Sequence, residues 1–182
     1  NINYIRSLVL LEKFEEAFSF ANSAWREDEL FFEIDLLLGL EAYIKKDYKT
    51  AQKYFTRLNK LSNTNFLFQD FFGNILISWI KASENKKNES FEFLNKIPER
   101  YSSLRLINES FLSCYFDESK TEIIFKKVIG DKDRSFSRYN YFLVNYLISK
   151  NKVDDAKDFI NKIAKSHNST LLIKQTNNYI DQ

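Results

Sequence analysis

Apolar residues recur every three to four positions along nearly the whole chain, and short polar dipeptides interrupt them at regular intervals. This is the period of helices that bury one face. The pattern predicts helices over 2–10, 13–26, 29–45, 48–61, 66–84, 87–97, 102–115, 119–129, 135–150, 153–166 and 170–181. The breaks are Glu12-Lys13, Arg26 to Asp28, Lys46-Asp47, Asn85 to Lys87, Asp117-Glu118 and Asn151-Lys152. Links this short force consecutive helices to run antiparallel. Asp47, Asn151 and the pair Asn168/Ser169 precede predicted helices and carry side chains suited to capping free backbone N–H groups, while Pro98 is expected to stop the helix ending at Ile97.

The pairs repeat. A small residue stands near the start of each second helix, at Ala17, Ala51, Ser90, Thr121 and Ala156. Three or four residues later comes a bulky apolar group, at Phe20, Tyr54/Phe55, Phe93/Leu94, Ile124/Phe125 and Phe159/Ile160. Ala24, Leu58, Ile97, Val128 and Ile163 follow seven residues after the small position. The units read as about 1–28, 29–64, 65–100, 101–133 and 134–168, with a terminal helix at 169–182. A pair that repeats in this way cannot bury its apolar face alone, so an all-α solenoid of about five helix-turn-helix repeats in one domain is expected. In "LLLGLEAYIKKDYKTAQKYF", Gly39 and Ala51 are small where the two helices should cross, which lets their backbones approach.

Composition agrees with helices. The chain holds 3 Gly and 1 Pro in 182 residues, too few for the turns of a sheet protein. Its 18 Phe and 10 Tyr accompany abundant Lys, Asn and Ile, so part of the bias reflects AT-rich codons. Net charge is +2, from 27 basic and 25 acidic side chains, too balanced for a protein that neutralises many phosphates, and no nucleic-acid partner is expected. No run of 18 apolar residues is present, so no transmembrane segment is expected and the chain reads as soluble, with its compartment undetermined. The absence of any Met marks it as an expected segment of a longer protein.

Candidate chemistry is sparse, and neither an enzyme nor a cofactor is expected. One cysteine, Cys114, and one histidine, His167, exclude a disulfide and a multi-ligand Cys/His metal site. Cys114 within "FLSCYF" is expected in the core, and His167 at a helix end, where an imidazolium meets free carbonyls. Adjacent carboxylates such as Glu15-Glu16 and Asp154-Asp155 diverge by about 100° on a helix and do not converge on a substrate. The three glycines are isolated, so no phosphate-cradling loop and no small-molecule substrate are expected. Lys86-Lys87 and Lys126-Lys127 read as solvated, and the sequons at Asn88, Asn108 and Asn168 as chance products of an Asn- and Ser-rich chain.

The second unit, with Leu38-Gly39, Ala51 and Phe55, resembles the tetratricopeptide repeat family, whose 34-residue unit carries Leu-Gly in its first helix and Ala, then Phe, in its second. Gly73 to Ile97 and Tyr141 to Ile163 are similar to units in long bacterial repeat proteins of that family. Elsewhere Ile5, Ser78, Glu109 and Val144 replace the glycine, and the closing proline is missing at its usual spacing. The resemblance implies a right-handed superhelix whose concave face grips a protein or peptide. Carrying the family's spacing across points to Ile2, Arg6 and Val9; Glu33, Leu36, Leu40 and Tyr43; Phe72, Ile75 and Trp79; and Arg138, Tyr141 and Asn145. The fourth unit is ambiguous by one residue. Trp79 is the expected anchor, since indole combines apolar area with one donor; Trp25 is expected to pack between repeats. The implied function is a non-catalytic interaction scaffold, with a spacer or dimerising segment of a longer array, self-associating through its terminal repeats, as the alternative and a nucleic-acid-binding helical repeat behind it.

Overall fold

A computed structural model of the chain describes residues 2–60, 69–130, 138–166 and 178. Among the described residues all regular structure is helical: α1 (Ile2–Leu10), α2 (Phe14–Ala24), α3 (Phe32–Ile44), α4 (Tyr48–Leu58), α5 (Gln69–Ser83), α6 (Lys87–Asn95), α7 (Ser102–Tyr115), α8 (Thr121–Ile129), α9 (Arg138–Ser149) and α10 (Val153–Ser166), with one 3-10 turn at Glu99–Tyr101 after Pro98. The predicted helix over 170–181 lies outside the described residues except for Asn178, as do His167, Asn168 and Ser169. The contacts divide the chain into two compact units, Asn1–Arg105 and Leu106–Gln182. In the first, each helix from α1 to α6 packs on the next; in the second, α8 packs on α9 and α9 on α10.

One turn recurs five times. Glu12, Lys46, Asn85, Asp117 and Asn151 all take positive φ, between 53° and 61°. In each case the following N–H reaches back five residues: Lys13 to the Leu8 carbonyl (2.9 Å), Asp47 to Ala42 (2.9 Å), Lys86 to Lys81 (2.8 Å), Glu118 to Ser113 (2.8 Å) and Lys152 to Leu147 (2.9 Å). The left-handed residue's own N–H reaches back three, for example from Lys46 to Tyr43 at 2.9 Å. These are the paired bonds of a helix end closed by a left-handed residue. Asp47 then caps α4, accepting from the Thr50 N–H at 3.1 Å. Asn151 does not cap α10 as its sequence position suggested; it is the left-handed turn residue, and Lys152 intervenes before Val153. None of the five is glycine, although a side chain in this region costs about 1 kcal/mol or more, least for Asn and Asp. Lys46→Gly should therefore raise stability by about 0.5–1 kcal/mol, read in thermal unfolding as a shift of about 1–4 °C.

The small residues of the repeat are wedged between helices. Ala17, Ala51, Ser90, Thr121 and Ala156 are all fully buried. Seven residues before each left-handed residue stand Ile5, Gly39, Ser78, Ser110 and Val144, also buried. The hydroxyl of Ser90 donates across its pair to the carbonyl of Ser78 at 2.8 Å. The fourth pair departs from expectation by one residue. Thr121 follows its left-handed residue by four positions where the other small residues follow by five. The glycine-equivalent residue is thus Ser110, not Glu109, which lies nearer solvent and accepts from Lys120 at 3.3 Å. Ser113 is buried, as are Leu8, Ala42, Lys81 and Leu147 at the same place in the other pairs, and Cys114, expected in the core, is exposed. Partial burial of the thiol nevertheless holds the Cys114 pKa above its ordinary value, against the pull of Lys150.

Two clusters form the core of Asn1–Arg105. Ile5, Leu8, Ala17, Phe18, Ala21, Ile34, Leu37 and Leu38 join α1, α2 and α3. Ala42, Ala51, Phe55, Leu58, Ile77 and Ile80 join α3, α4 and α5. In the second unit Phe125, Leu143, Val144, Leu147, Ala156 and Ile160 join α8, α9 and α10. Phe111 of α7 packs against that cluster and meets Phe125 edge-on at 5.7 Å.

Two glycines permit close approach. A Cβ on Gly39 would meet the Phe55 ring at 2.1 Å, so the missing methyl is the space the ring occupies. A Cβ on Gly73 would lie 2.5 Å from the backbone oxygen of Phe55, which brings α5 against α4.

Candidate functional site

An apolar concavity of about 690 Å³ lies in the first unit, among α1, α2 and α3. The turns that set the phase of α1 and α3 place Ile5, Val9 and Leu10 on one side and Leu36, Leu37, Leu40 and Ile44 on the other, with Phe14 and Phe18 of α2 between them. Charge is confined to Arg6, Glu15 and Glu33. Arg6 donates to Glu33 at 2.6 Å, tying α1 to α3. Leu10 is 83% exposed and Ile44 68%, although both are aliphatic and both line the concavity. Such a surface binds by burying apolar area, at roughly 25 cal/mol per Å² before the costs of association.

Five of the residues pointed to by family spacing, Arg6, Val9, Glu33, Leu36 and Leu40, come together here. Ile2 lies exposed on α1. Tyr43 does not line the groove. Its hydroxyl lies 2.7 Å from that of Ser83, and its ring packs against Tyr48, so it joins α3 to α4 and α5. On α5, Phe72 meets Phe32 edge-on at 5.6 Å, while Ile75 and Trp79 are half-buried. In the second unit Tyr141 and Asn145 are exposed on α9 and Arg138 opens that helix, its side chain lying outside the described residues. The turn resolves the ambiguous fourth unit: six residues before the left-handed position stand Arg6, Leu40, Trp79, Phe111 and Asn145.

Sequence spacing missed the other lining residues, Ile5, Leu10, Phe14, Glu15, Phe18, Leu37 and Ile44. The available signal was an apolar residue at the very end of a first helix, one position off the packing stripe, in both Leu10 and Ile44. It also missed a buried ion pair. Arg57 Nε donates to Asp35 Oδ1 at 2.8 Å, and its two terminal nitrogens donate to the carbonyls of Glu27 (2.8 Å), Arg26 (3.2 Å) and Glu29 (2.6 Å). Trp25, expected to pack between repeats, lies beside it, donating to Asp35 of α3 at 3.2 Å and meeting Tyr54 of α4 edge-on. Asp35 Oδ2 has no partner, and burial raises the Asp35 pKa despite the guanidinium. The carbonyls that Arg57 takes explain why α2 and α3 are shorter than predicted at this link: residues 25–31 are drawn out around a side chain some thirty positions away.

Among the described residues no group of three His, Cys, Asp or Glu could hold a metal ion, and no helix is long and apolar enough to cross a membrane. Comparison with protein-family models, with curated proteins and with solved structures finds no match.

Proposed function

We propose that the chain is a non-catalytic scaffold that holds a protein partner, and that the groove among α1, α2 and α3 receives an amphipathic helix of that partner. The carrying observation is the groove itself: nine apolar side chains from three helices around about 690 Å³, with its charges confined to Arg6, Glu15 and Glu33. Its volume falls within the range of sites that enclose a ligand. A helix laid there would bury apolar residues at i, i+3, i+4 and i+7. The recurring turn and the five buried small residues support stacking of the helix pairs as a solenoid of the tetratricopeptide type. Such a stacked core would leave the ordering cost of binding mainly with the partner.

Peptide display against the full chain tests this reading. Selected peptides should share the helical apolar period, and Leu10→Glu with Ile44→Glu should weaken their binding at least about ten-fold, since a buried unpaired carboxylate costs well over 1.4 kcal/mol. Both positions are exposed, so circular dichroism should be unchanged. Selected peptides without apolar periodicity, or binding indifferent to the double substitution, would overturn it.

A second reading rests on the exposed apolar residues Tyr4, Leu10, Leu11 and Phe14, which gather on α1 and the start of α2. It makes this face a contact between two copies of the chain. Sedimentation velocity separates the two: a dimer dissolved by the same substitutions favours self-association, and a monomer throughout favours a foreign helix.

A further inference from the structure

The solvent-facing side of α4 carries a second concavity, of about 480 Å³, that shares no residue with the apolar groove. Lys49, Lys53 and Lys60 line it, with Arg57 and, from the link between α2 and α3, Glu27. Several lysines elsewhere are neutralised: Lys13, Lys45, Lys86, Lys126 and Lys152 each stand within ion-pair distance of a carboxylate. Lys49, Lys53 and Lys60 have no such partner among the described residues, and Lys53 is held over the Trp25 ring at 5.4 Å. With Arg57 paired to Asp35, three lysines face one carboxylate, Glu27, and such an excess of like charge attracts an anionic ligand.

The geometry points to a site for an extended acidic peptide segment. Lys49 and Lys53 lie one turn apart on α4 and Lys60 just beyond its C-terminal end, about 16 Å from Lys49 if the helical rise is continued, so the three do not converge on a single small anion. An extended chain covers that distance in about five residues, and its alternate side chains fall about 7 Å apart. Four residues of helix rise about 6 Å, so acidic residues at alternate positions of a strand meet lysines four residues apart, as Lys49 and Lys53 are. Gln52 and Thr56, between them, offer polar groups to the strand's backbone. A single-stranded nucleic acid fits less well. Base stacking needs a free aromatic face, and Trp25 is already packed by Lys53, Arg57 and Tyr54. Glu27 would repel a continuous phosphate track, whereas one basic residue in a peptide would pair with it.

The test uses the full chain and two fluorescent probes, a ten-residue peptide alternating Glu and Ser and an oligothymidylate of ten nucleotides, titrated at low and at physiological salt. The peptide is expected to bind more tightly than the oligonucleotide, with affinity falling as salt rises, and Lys53→Glu with Lys60→Glu to weaken it at least about ten-fold. Lys126→Glu with Lys127→Glu removes the same charge in the other unit and should change binding little, and Leu10→Glu with Ile44→Glu should leave it unchanged. Tighter binding of the oligonucleotide, or equal loss from both lysine pairs, overturns the proposal. So does a peptide affinity indifferent to the α4 substitutions. Because the two sites share no residue, either can fail without the other.

Discussion

Phe55→Ala is expected to lower stability by about 3–5 kcal/mol, the usual range for removing a fully buried ring. The ring is 1% exposed and joins α3, α4 and α5. What distinguishes this site is its coupling to Gly39. In the wild type, Gly39→Ala would push a methyl to 2.1 Å from the Phe55 ring, an overpacking that typically costs about 1–3 kcal/mol. In the Phe55→Ala background the obstruction is gone, and only the helix preference for Ala over Gly remains, worth about 0.5–1 kcal/mol in the stabilising direction. The effect of the same substitution should therefore change sign between the two backgrounds, in urea unfolding followed by circular dichroism. Equal effects in both would show that the glycine is not there to make room for the ring.

Asp35→Leu should cost about 3 kcal/mol, because Arg57 would remain buried with carbonyls but no carboxylate. Adding Arg57→Met should restore most of that loss, since replacing a whole buried pair by apolar groups is often close to neutral. The carbonyls of Arg26, Glu27 and Glu29 released in the double variant belong to exposed residues and are free to bond water. Strict additivity of the two substitutions would refute the account. The titration of Asp35 gives an independent check. Its folded pKa is raised above the ordinary 3.8 by burial, so folding binds its proton more tightly than unfolding does. Its contribution therefore favours the fold at low pH and diminishes as pH rises from 3.8 through the folded value. Glu41 and Glu122 act oppositely, their pKa values lowered chiefly by hydrogen bonds from Lys45 and from Lys126, and their stabilisation is lost as pH falls through their folded values. In the difference between wild type and Asp35→Asn those opposing carboxylates cancel, and the Asp35 slope should stand alone.

The two concavities of the first unit lie on different surfaces, one apolar and one cationic. Burial of apolar area is insensitive to salt, whereas attraction between exposed charges decays over about 8 Å at physiological ionic strength. Salt should consequently separate the two modes: helix binding in the groove persists where acidic-peptide binding on α4 fades.

The sequence by itself determined that the chain is helical and where its helices break. Glu12-Lys13, Lys46-Asp47, Asn85 to Lys87, Asp117-Glu118 and Asn151-Lys152 were legible because the bonds that close those turns span only three to five residues. The five small positions of the repeat were legible from their near-constant spacing, whereas Arg6, Glu33, Leu36 and Leu40 came from the spacing of the resembling family and not from the apolar period of α3, which is apolar nearly all round. Tertiary structure decided the rest. The link after Asp117 is one residue shorter, so counting back from Thr121 lands on Glu109 when the buried residue is Ser110, and Cys114 lies exposed where its apolar neighbours suggested the core. Arg57 drew out residues 25–31 from thirty positions away, and the α4–α5 contact claimed Tyr43 while leaving Ile44 to the groove. Hydrogen bonds of a helix and its cap are made within a few residues, so local sequence dictates them; which face remains open depends on neighbours that arrive from distant parts of the chain.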